Sequence, residues 1–422
     1  MKLKQFSFTV LTFCLAIASG AKAAQAAQLT EIANNLDQPR GITFDADGNL
    51  YVSETGKGGD GNCQPSPSTL FLPICAGKTS SLIKITPDGQ QQPIIDGFDS
   101  LAQQPSGYEG AGIQALEFDS QGNAYMITGF AGFPGNRDEE ASAIGANIQL
   151  PDQQLAIFPP SPIEQVLNTP SLGQLYKVDL NTGELTSIFD FAKYELLNNP
   201  DGTDVVTNPY AMAIKDDTAY IADGGGNTLY EIKLDGSDVK AIPIPGQTID
   251  NPVFPPLPPG QEAPAGSPEA APPPQLDIQS VPTGIAIGPD GAAYVGEYTG
   301  YPYPEGKAKI WRVGDDGKPE VYAEGFTHIT DMKFDADGNL YVLQFSDQSQ
   351  WKGEESKLPG SLIKVAPDGT RTTVVAAGEG LESADGLAIS HDNQIYVVNH
   401  GIGPGNGQIL RIDSFDDVEA VP

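Results

Sequence analysis

The sequence predicts an all-β protein, a six-bladed β-propeller whose last blade is closed by the N-terminal strand. A strand–turn–strand unit recurs six times along the chain, and each copy is followed by a third strand. Five copies continue into a fourth strand, whereas the sixth does not. The segment "QLTEIANNL" (28–36) has the character of the missing strand and precedes the first copy. Six four-stranded units with one displaced strand indicate a closed propeller and not a β-sandwich.

The six units share a short apolar strand, a tight turn and a second strand that carries a tyrosine. They occupy 41–54, 115–128, 211–223, 284–297, 331–344 and 386–399. The third strands read "SLIKI", "QLYKV", "TLYEI", "KIWRV", "SLIKV" and "QILRI". Short strands joined by Gly-, Asp- and Pro-containing turns are typical of such repeats, and they account for the 48 Gly and 36 Pro of the chain.

The octapeptide "DADGNLYV" occurs twice, at 45–52 and at 335–342. Its acidic start resembles a calcium-binding loop, but in an EF-hand the glycine comes later and a glutamate follows further on. Asp-Gly and Gly-Asn also supply the positive φ that a tight hairpin turn requires. We therefore interpret both copies as turns between the first and second strands of a blade.

Residues 1–26 predict an export signal, because basic Lys2 and Lys4 precede a short apolar run and small residues suited to cleavage. The mature chain, 27–422, is then a single propeller. No later stretch is long and apolar enough to span a bilayer, so no membrane span is expected after signal removal. We expect a secreted protein, located in the periplasm or outside the cell.

Two of the 3 cysteines, Cys63 and Cys75, belong to the predicted mature chain. In an exported protein such a close pair predicts a disulfide, worth about 3 kcal/mol in the chain-entropy model. A two-thiol metal site is the alternative, although no further Cys or His lies nearby in the sequence.

The chain is strongly acidic, with a formal net charge of −32. Nucleic-acid binding depends on Lys and Arg that neutralise phosphates, so a nucleic-acid partner is excluded. The same charge keeps a secreted protein soluble, and we expect a monomer.

The long insertions lie between second and third strands or between blades. They are 56–79, 130–172 and the Pro-rich 246–280. In a propeller these connections emerge on one face, here called the loop-rich pole. Loops on a rigid scaffold commonly carry binding residues, so we expect a small molecule or a protein to bind there. The alternative is that the loops only cap the central hole.

The residues that end the second strands are expected to point toward this pole, and a solvated polar rim is the alternative interpretation. They are Glu54, Thr128, Asp223, Glu297, Gln344 and Asn399. Three tyrosines in "YTGYPYPEG" and one histidine in "HGIGPGNG" lie beside them. The candidate ligand-binding set is Glu54, Asp223, Glu297, Tyr298, Tyr301, Tyr303, Asn399 and His400.

Propellers of the gluconolactonase and senescence-marker type hold a divalent metal through Glu, Asn and Asp at the starts of their innermost strands. The corresponding positions here are Arg40, Gln114, Tyr210, Thr283, Thr330 or Asp331, and Asp385. Only Asp385, in "ADGLAI", keeps that family's Asp-Gly pattern. No cofactor is assigned; if calcium binds in the channel, the candidate ligands are Asp385, Glu54 and Glu297.

Nucleophilic catalysis has little support, because the chain has only 3 His and no nucleophile elbow. An acid–base pair of Glu297 with His400 is another arrangement the sequence allows. Whether the protein is an enzyme is therefore left open, and no catalytic residue is assigned.

Five segments resemble the ScyD/ScyE family, exported NHL-like propellers associated with the gene cluster for scytonemin, a cyanobacterial sunscreen pigment. They are "TNPYAMAI", "YIADGGGNTLYEI", "SVPTGIAIGPDGAAYVGEYTGYPYPEGKAKIWRV", "FTHITDMKFDADGNLYVLQF" and "PGSLIKVAPDGT". The resemblance covers nearly the whole mature chain, and "VGE-TG-P-P-G" (295–306) is its most specific part. It implies an exported β-propeller and marks no residue as catalytic.

Three hypotheses on function follow. The first is a scaffold that binds a small molecule or a protein at the loop-rich pole, with a link to scytonemin-type pigment biosynthesis. The second is a calcium-assisted hydrolase of the lactonase or esterase type that uses the propeller channel. The third is a structural matrix protein whose acidic surface binds cations loosely.

Overall fold

The computed structural model describes residues 27–69, 72–150, 154–155, 160–257, 267–354, 357–414 and 418–419. The expected export signal lies outside the described residues. Within them, six antiparallel sheets of four principal strands form the predicted six-bladed β-propeller.

The first three blades follow one another along the chain after the N-terminal strand β1 (Gln28–Leu36). Blade 1 contains β2 (Pro39–Phe44), β3 (Leu50–Glu54), a short β4 (Cys63–Pro65), β5 (Pro73–Ile85) and β6 (Gln91–Gln103). Blade 2 contains β7 (Ile113–Phe118), β8 (Ala124–Thr128), β9 (Gln174–Val178) and β10 (Leu185–Asp190). Blade 3 contains β11 (Pro209–Lys215), β12 (Thr218–Asp223), β13 (Thr228–Lys233) and β14 (Val239–Pro243).

A separate hairpin, β15 (Gln247–Asp250) and β16 (Gln275–Ile278), lies in the Pro-rich insertion before the last three blades. Blade 4 contains β17 (Pro282–Ile287), β18 (Ala293–Glu297), β19 (Ala308–Val313) and β20 (Pro319–Phe326). Blade 5 contains β21 (Ile329–Phe334), β22 (Leu340–Gln344), β23 (Ser361–Val365) and β24 (Arg371–Val375). Blade 6 contains β25 (Leu387–Ile389), β26 (Ile395–Asn399), β27 (Gly407–Ser414) and β1, whereas β28 (Val418–Glu419) pairs with β24.

Strand β1 closes the ring as predicted. It pairs antiparallel with β27, with Leu29 opposite Ile412 and Ala33 opposite Ile409. Leu36, at the end of β1, is 2% exposed and belongs to a core cluster shared by blades 6 and 1. The two ends of the propeller are therefore held in one sheet and over one apolar core.

The hydrophobic core lies between neighbouring blades. Six buried clusters each combine side chains of two adjacent blades, and together they cover all six blade interfaces. Blades approach closely at their inner strands, where a Cβ at Gly41 would lie 2.7 Å from the carbonyl oxygen of Gln114. A Cβ at Gly386 would likewise clash with the carbonyl of Arg40. Close packing of the blades thus explains why glycine stands at position 386, and a metal site is not needed to explain it.

The repeated octapeptide forms tight turns, as predicted. In the first copy, Asp45 Oδ1 accepts hydrogen bonds from the backbone N–H groups of Asp47 (3.0 Å) and Asn49 (2.9 Å). Gly48 adopts a φ of 80°, which is the left-handed conformation expected for this turn. The second copy repeats the pattern at Asp335. The aspartate in each copy thus accepts hydrogen bonds from backbone N–H groups of its own turn.

The predicted disulfide between Cys63 and Cys75 is present and links β4 to β5 at directly opposed positions. The segment 56–79, expected to be a loop, contains strand structure. Strand β5 begins at Pro73 and forms a long two-stranded arm with β6. Among the described residues, no helix is both long enough and apolar enough to cross a membrane.

Two short α-helices, α1 (Glu139–Gly145) and α2 (Phe191–Asn198), lie in the long connections around blade 2. Asp138 and Asp190 cap their N-termini by accepting a hydrogen bond from a backbone N–H. The buried guanidinium of Arg137 joins the two caps, at 2.6 Å from Asp138 and 2.7 Å from Asp190. These contacts fix α2 against the body of the propeller.

Candidate functional site

The central channel is narrow. The inner strands of five blades converge on a cavity of about 20 Å³, which has room for about one water molecule. Its charged and phenolic lining residues are Arg40, Glu117, Tyr210, Asp331, Lys333 and Asp385. Pockets for small organic ligands typically measure roughly 300–1,000 Å³, so the channel in this state does not admit a substrate.

One ionic group of the channel joins blades 1, 3 and 6. The guanidinium of Arg40 pairs with the Asp385 carboxylate, and Tyr210 Oη donates a hydrogen bond of 2.6 Å to Asp385 Oδ1. The guanidinium carbon of Arg40 also lies 5.7 Å from the centre of the Tyr210 ring. Burial raises the pKa of Asp385, while Arg40 and Tyr210 oppose that shift. The carboxylate predicted as a metal ligand is therefore paired with a cationic side chain.

A second ionic group involves blades 1, 2 and 5. Lys333 Nζ lies 3.4 Å from Asp331 and 3.6 Å from Glu117, and Thr43 donates a 3.3 Å hydrogen bond to Glu117. Asp331 also accepts a 2.8 Å hydrogen bond from the backbone N–H of Leu387 in blade 6. Burial raises the pKa of Glu117, and the nearby lysine opposes this. Together the two groups link the inner strands across the channel.

The structure does not bring together the three carboxylates considered for a channel calcium ion. Within the described part of the chain, no group of three or more His, Cys, Asp or Glu side chains is arranged to hold a metal. Asp385 pairs with Arg40, whereas Glu54 and Glu297 end the second strands of blades 1 and 4. A cation beside Asp385 would also meet repulsion from the Arg40 guanidinium.

The residues that end the second strands are buried. All six, Glu54, Thr128, Asp223, Glu297, Gln344 and Asn399, are at most 7% exposed. In four blades the side chain accepts a hydrogen bond from the backbone N–H of the segment that leads into the first strand of the same blade. These bonds are Asp37 to Glu54, Asn208 to Asp223, Thr327 to Gln344 and Glu382 to Asn399, at 2.6–2.7 Å. Each of these side chains thus joins two segments of its own blade, and ligand contact by them stays a prediction.

Glu297 and His400 each have local partners. Glu297 accepts hydrogen bonds from Trp311 Nε1 at 2.6 Å and from the backbone N–H of Lys309 at 3.0 Å. Burial raises the pKa of Glu297 to about 7 despite these donors. His400 Nδ1 lies 3.8 Å from Glu382. The acid–base pair of Glu297 with His400 therefore gains no support from these contacts.

The three predicted tyrosines form one cluster on the loop-rich pole, here called the aromatic patch: Tyr298, Tyr301, Tyr303 and Phe254. The ring centres of Tyr303 lie 6.1 Å from Tyr298 and 5.8 Å from Tyr301, and Phe254 lies 5.9 Å from Tyr301. All four side chains are partly exposed. The three tyrosines come from one short segment, whereas Phe254 comes from the Pro-rich insertion and has no signal in the sequence. Ligand binding by the tyrosines stays a prediction.

The patch rests on a rigid base. Tyr298 stacks on the buried ring of His328, with centres 4.5 Å apart and planes 15° from parallel. Burial lowers the pKa of His328 to about 4, so the imidazole is neutral at pH 7. Tyr298 also packs on the buried cluster of Phe345, Leu358 and Ile402. Such support fixes the orientation of the exposed rings.

The edge of the patch is acidic and contains a tryptophan. Tyr301 Oη donates a 2.8 Å hydrogen bond to Glu269, and Trp351 Nε1 donates a 3.0 Å hydrogen bond to the carbonyl of Pro302. Glu305 lies at the same edge and pairs with Lys352 at 2.8 Å. The sequence did not predict a role for Trp351, because this residue belongs to a polar loop without a repeat pattern.

The fold and this geometry define the class: an all-β, six-bladed propeller with a closed ionic channel and an aromatic patch on its loop-rich pole. No family model matches the sequence, and no curated protein matches it. Among solved structures the chain is similar to a glucose dehydrogenase (13% identity, TM-score 0.48, 92% of this chain and 99% of that one). It is also similar to the calcium-binding protein regucalcin from Agrobacterium tumefaciens (12%, 0.47, 94% and 96%) and to a streptogramin B lyase (12%, 0.43, 93% and 98%). No activity is taken from likenesses of this size.

Proposed function

We propose that the protein is an exported binding scaffold that holds a small aromatic molecule at the aromatic patch. The observation that carries the proposal is the cluster of partly exposed rings, Tyr298, Tyr301, Tyr303 and Phe254, on a buried base. Aromatic side chains provide large flat contact areas, and the phenol groups can also form hydrogen bonds. Their placement on loops of a rigid propeller is typical of binding sites.

The charge of the patch selects among aromatic ligands. Glu269 lies at its edge, Glu305 is paired there with Lys352, and the whole chain carries a net charge of −32. A protein of this charge attracts cations and repels anions at moderate ionic strength. The ligand is therefore a neutral or cationic aromatic compound.

The calcium-assisted hydrolase is the weaker candidate. It would require the Arg40–Asp385 ion pair to separate, and the cavity of about 20 Å³ to widen by an order of magnitude. Breaking a buried ion pair leaves two uncompensated charges, which is costly.

Export and the link to scytonemin belong to the same proposal. The Cys63–Cys75 disulfide is compatible with an oxidising compartment such as the periplasm or the extracellular space. The ScyD/ScyE resemblance rests on sequence segments alone, and it suggests an aromatic precursor as the ligand class. We propose a monomer for the binding form.

The test is a titration with two matched probes, tyramine and 4-hydroxyphenylacetate, which share a ring and differ in charge. Isothermal titration calorimetry should show that tyramine binds more tightly, and Tyr301→Ala with Tyr303→Ala should weaken it about tenfold or more, since each ring contributes roughly 1 kcal/mol. Trp351 is one of 2 Trp in the chain, and its fluorescence should change on binding.

The control is Tyr322→Ala, which removes an exposed tyrosine from β20, away from the patch. It should leave tyramine affinity unchanged. Equal tyramine affinity in the double tyrosine variant and the unmodified protein would contradict the proposal, as would tighter binding of the anionic probe.

A further inference from the structure

Four carboxyl groups meet at the end of blade 3, between α2, the segment 199–208 and the end of β12. This acidic cluster consists of Glu195, Asp201, Asp204 and Asp223. Glu195 and Asp223 are both 0% exposed, whereas Asp201 and Asp204 are partly exposed at the solvent side. The charged groups that act on Glu195 are the other three acids, with no basic side chain among them.

Glu195 differs from the other buried acids in how weakly its carboxyl group is bonded. Among the described residues, neither Glu195 oxygen has a donor in good hydrogen-bonding geometry, although the backbone N–H of Val206 is close enough to oppose the rise of the Glu195 pKa. The buried Tyr230 hydroxyl, which also acts on Glu195, has no partner in the described part of the chain. Burial raises the pKa of Glu195 to about 9, and the three nearby carboxylates add to the effect. Buried polar groups without partners are rare in folded proteins, and each calls for an occupant or a function.

Asp223 is held as an ordered anion next to this group. Its Oδ1 accepts hydrogen bonds from the backbone N–H groups of Asn208 (2.6 Å), Gly225 (3.0 Å) and Gly226 (2.9 Å). Its Oδ2 accepts one from Thr207 Oγ1 at 2.5 Å. Donors of this kind orient a carboxylate in the way that outer-shell contacts orient metal ligands.

Two oxygen atoms and one carboxyl carbon are the nearest atoms to the side of Gly226 where a Cβ would stand. A Cβ placed on Gly226 would lie 3.4 Å from Glu195 Oε2, 3.4 Å from the carbonyl oxygen of Val206 and 3.6 Å from Asp223 Cγ. Calcium binds carboxylate and backbone carbonyl oxygens at about 2.3–2.6 Å and completes its shell with water. The oxygens would have to move inward by roughly 1 Å to bind it.

We propose that the acidic cluster is a calcium site, with Glu195, Asp223 and the carbonyl oxygen of Val206 as protein ligands. Asp201 and Asp204 raise the negative potential at its solvent side. The site has fewer than three carboxylate, His or Cys ligands in place, and calcium tolerates this because carbonyls and waters serve as ligands. The ion joins α2 to the end of blade 3, and this site is separate from the channel and from the aromatic patch.

Calcium alone is the probe in the test. Chelator-treated, full-length mature protein is titrated with calcium chloride by calorimetry, and the expected result is about one ion per chain. Glu195→Gln keeps the size of the side chain and removes its charge, so affinity should fall about ten- to a hundredfold or more. Asp235→Asn, which changes an exposed turn carboxylate of the same blade, is the matched control and should bind calcium normally.

Gly226→Ala is an independent steric probe. Gly226 has no positive φ and the added methyl makes only ordinary contacts, so the fold should persist, which a melting curve checks. The methyl group occupies the proposed calcium position, and binding should be lost. Absence of calcium uptake by the unmodified protein at millimolar concentration overturns the proposal. Uptake retained in both Glu195→Gln and Gly226→Ala also overturns it, because the ion would then bind elsewhere.

Discussion

Arg40 is the residue that most changes the interpretation of the channel. The Asp-Gly motif at Asp385 suggested a metal ligand. In the structure that carboxylate pairs with Arg40 and accepts a hydrogen bond from Tyr210. The glycine of the motif serves the close approach of blade 6 to blade 1. Packing and ion pairing are therefore sufficient to explain this two-residue motif.

Replacing Arg40 should destabilise the protein strongly. The Arg40→Leu variant leaves the 2%-exposed Asp385 carboxylate without its cation, which should cost about 3–5 kcal/mol in the free energy of unfolding. The double variant Arg40→Leu with Asp385→Leu should recover part of this loss, since no buried charge remains. Urea denaturation measures both, and an unchanged midpoint in the single variant would refute the structural role of the pair.

His328 should make the stability of the protein depend on acidic pH. Its pKa is lowered from 6.5 to about 4 by burial, so the unfolded chain binds a proton at higher pH than the folded one. Above pH 6.5 the titration of His328 does not change the free energy of unfolding. Between pH 6.5 and 4 it lowers the free energy of unfolding by about 3 kcal/mol.

The comparison that isolates this effect is unmodified protein against His328→Phe, which keeps an aromatic ring under Tyr298. The free energy of unfolding should fall less in the variant than in the unmodified protein as pH decreases from 7 to 4.5. Parallel pH profiles of the two proteins would show that His328 titrates normally.

At the scale of elements, closure of the ring requires that β1 pairs with blade 6. Leu36 contributes its buried side chain to the core between blades 6 and 1. Leu36→Ala should lower the free energy of unfolding by about 2–5 kcal/mol, whereas exposed Glu31→Ala on the same strand should change it by no more than about 0.5 kcal/mol. Guanidinium unfolding of the two variants measures the contrast, and equal effects would mean that β1 is not docked.

The strands were predictable because their signals are local. The alternation of apolar residues and the Asp-Gly turns specify each hairpin, and Asp45 and Asp335 show the same hydrogen bonds in both copies. The long connections were less predictable. Helix α2 and the hairpin β15–β16 depend on contacts distant in sequence, such as Arg137 with Asp190 and Gln247 with the carbonyl of Lys307.

The candidate site was predictable only in part, for a physical reason. Tyr298, Tyr301 and Tyr303 are close in sequence, so their clustering could be anticipated. Partners from other loops, such as Phe254 and Trp351, are brought in by tertiary structure and leave no pattern in the sequence. The burial of the strand-end carboxylates was also missed, because the sequence does not show that backbone N–H groups point at them.

At the scale of the whole molecule, the two poles differ in the connections they carry. One pole carries tight turns, and the other carries the long connections, the aromatic patch and the acidic cluster. Ionic groups close the channel between the inner strands, and apolar clusters join all six neighbouring blade pairs. A scaffold of this kind holds its loops in place, and loops on a rigid scaffold commonly carry binding residues.

The most direct test of ligand binding at the aromatic patch is a crystal structure of the protein with bound tyramine. We expect electron density for the ligand against Tyr298, Tyr301 and Tyr303, with the Arg40–Asp385 ion pair intact and the channel closed. Ligand density inside the channel, with Arg40 turned away from Asp385, would contradict it.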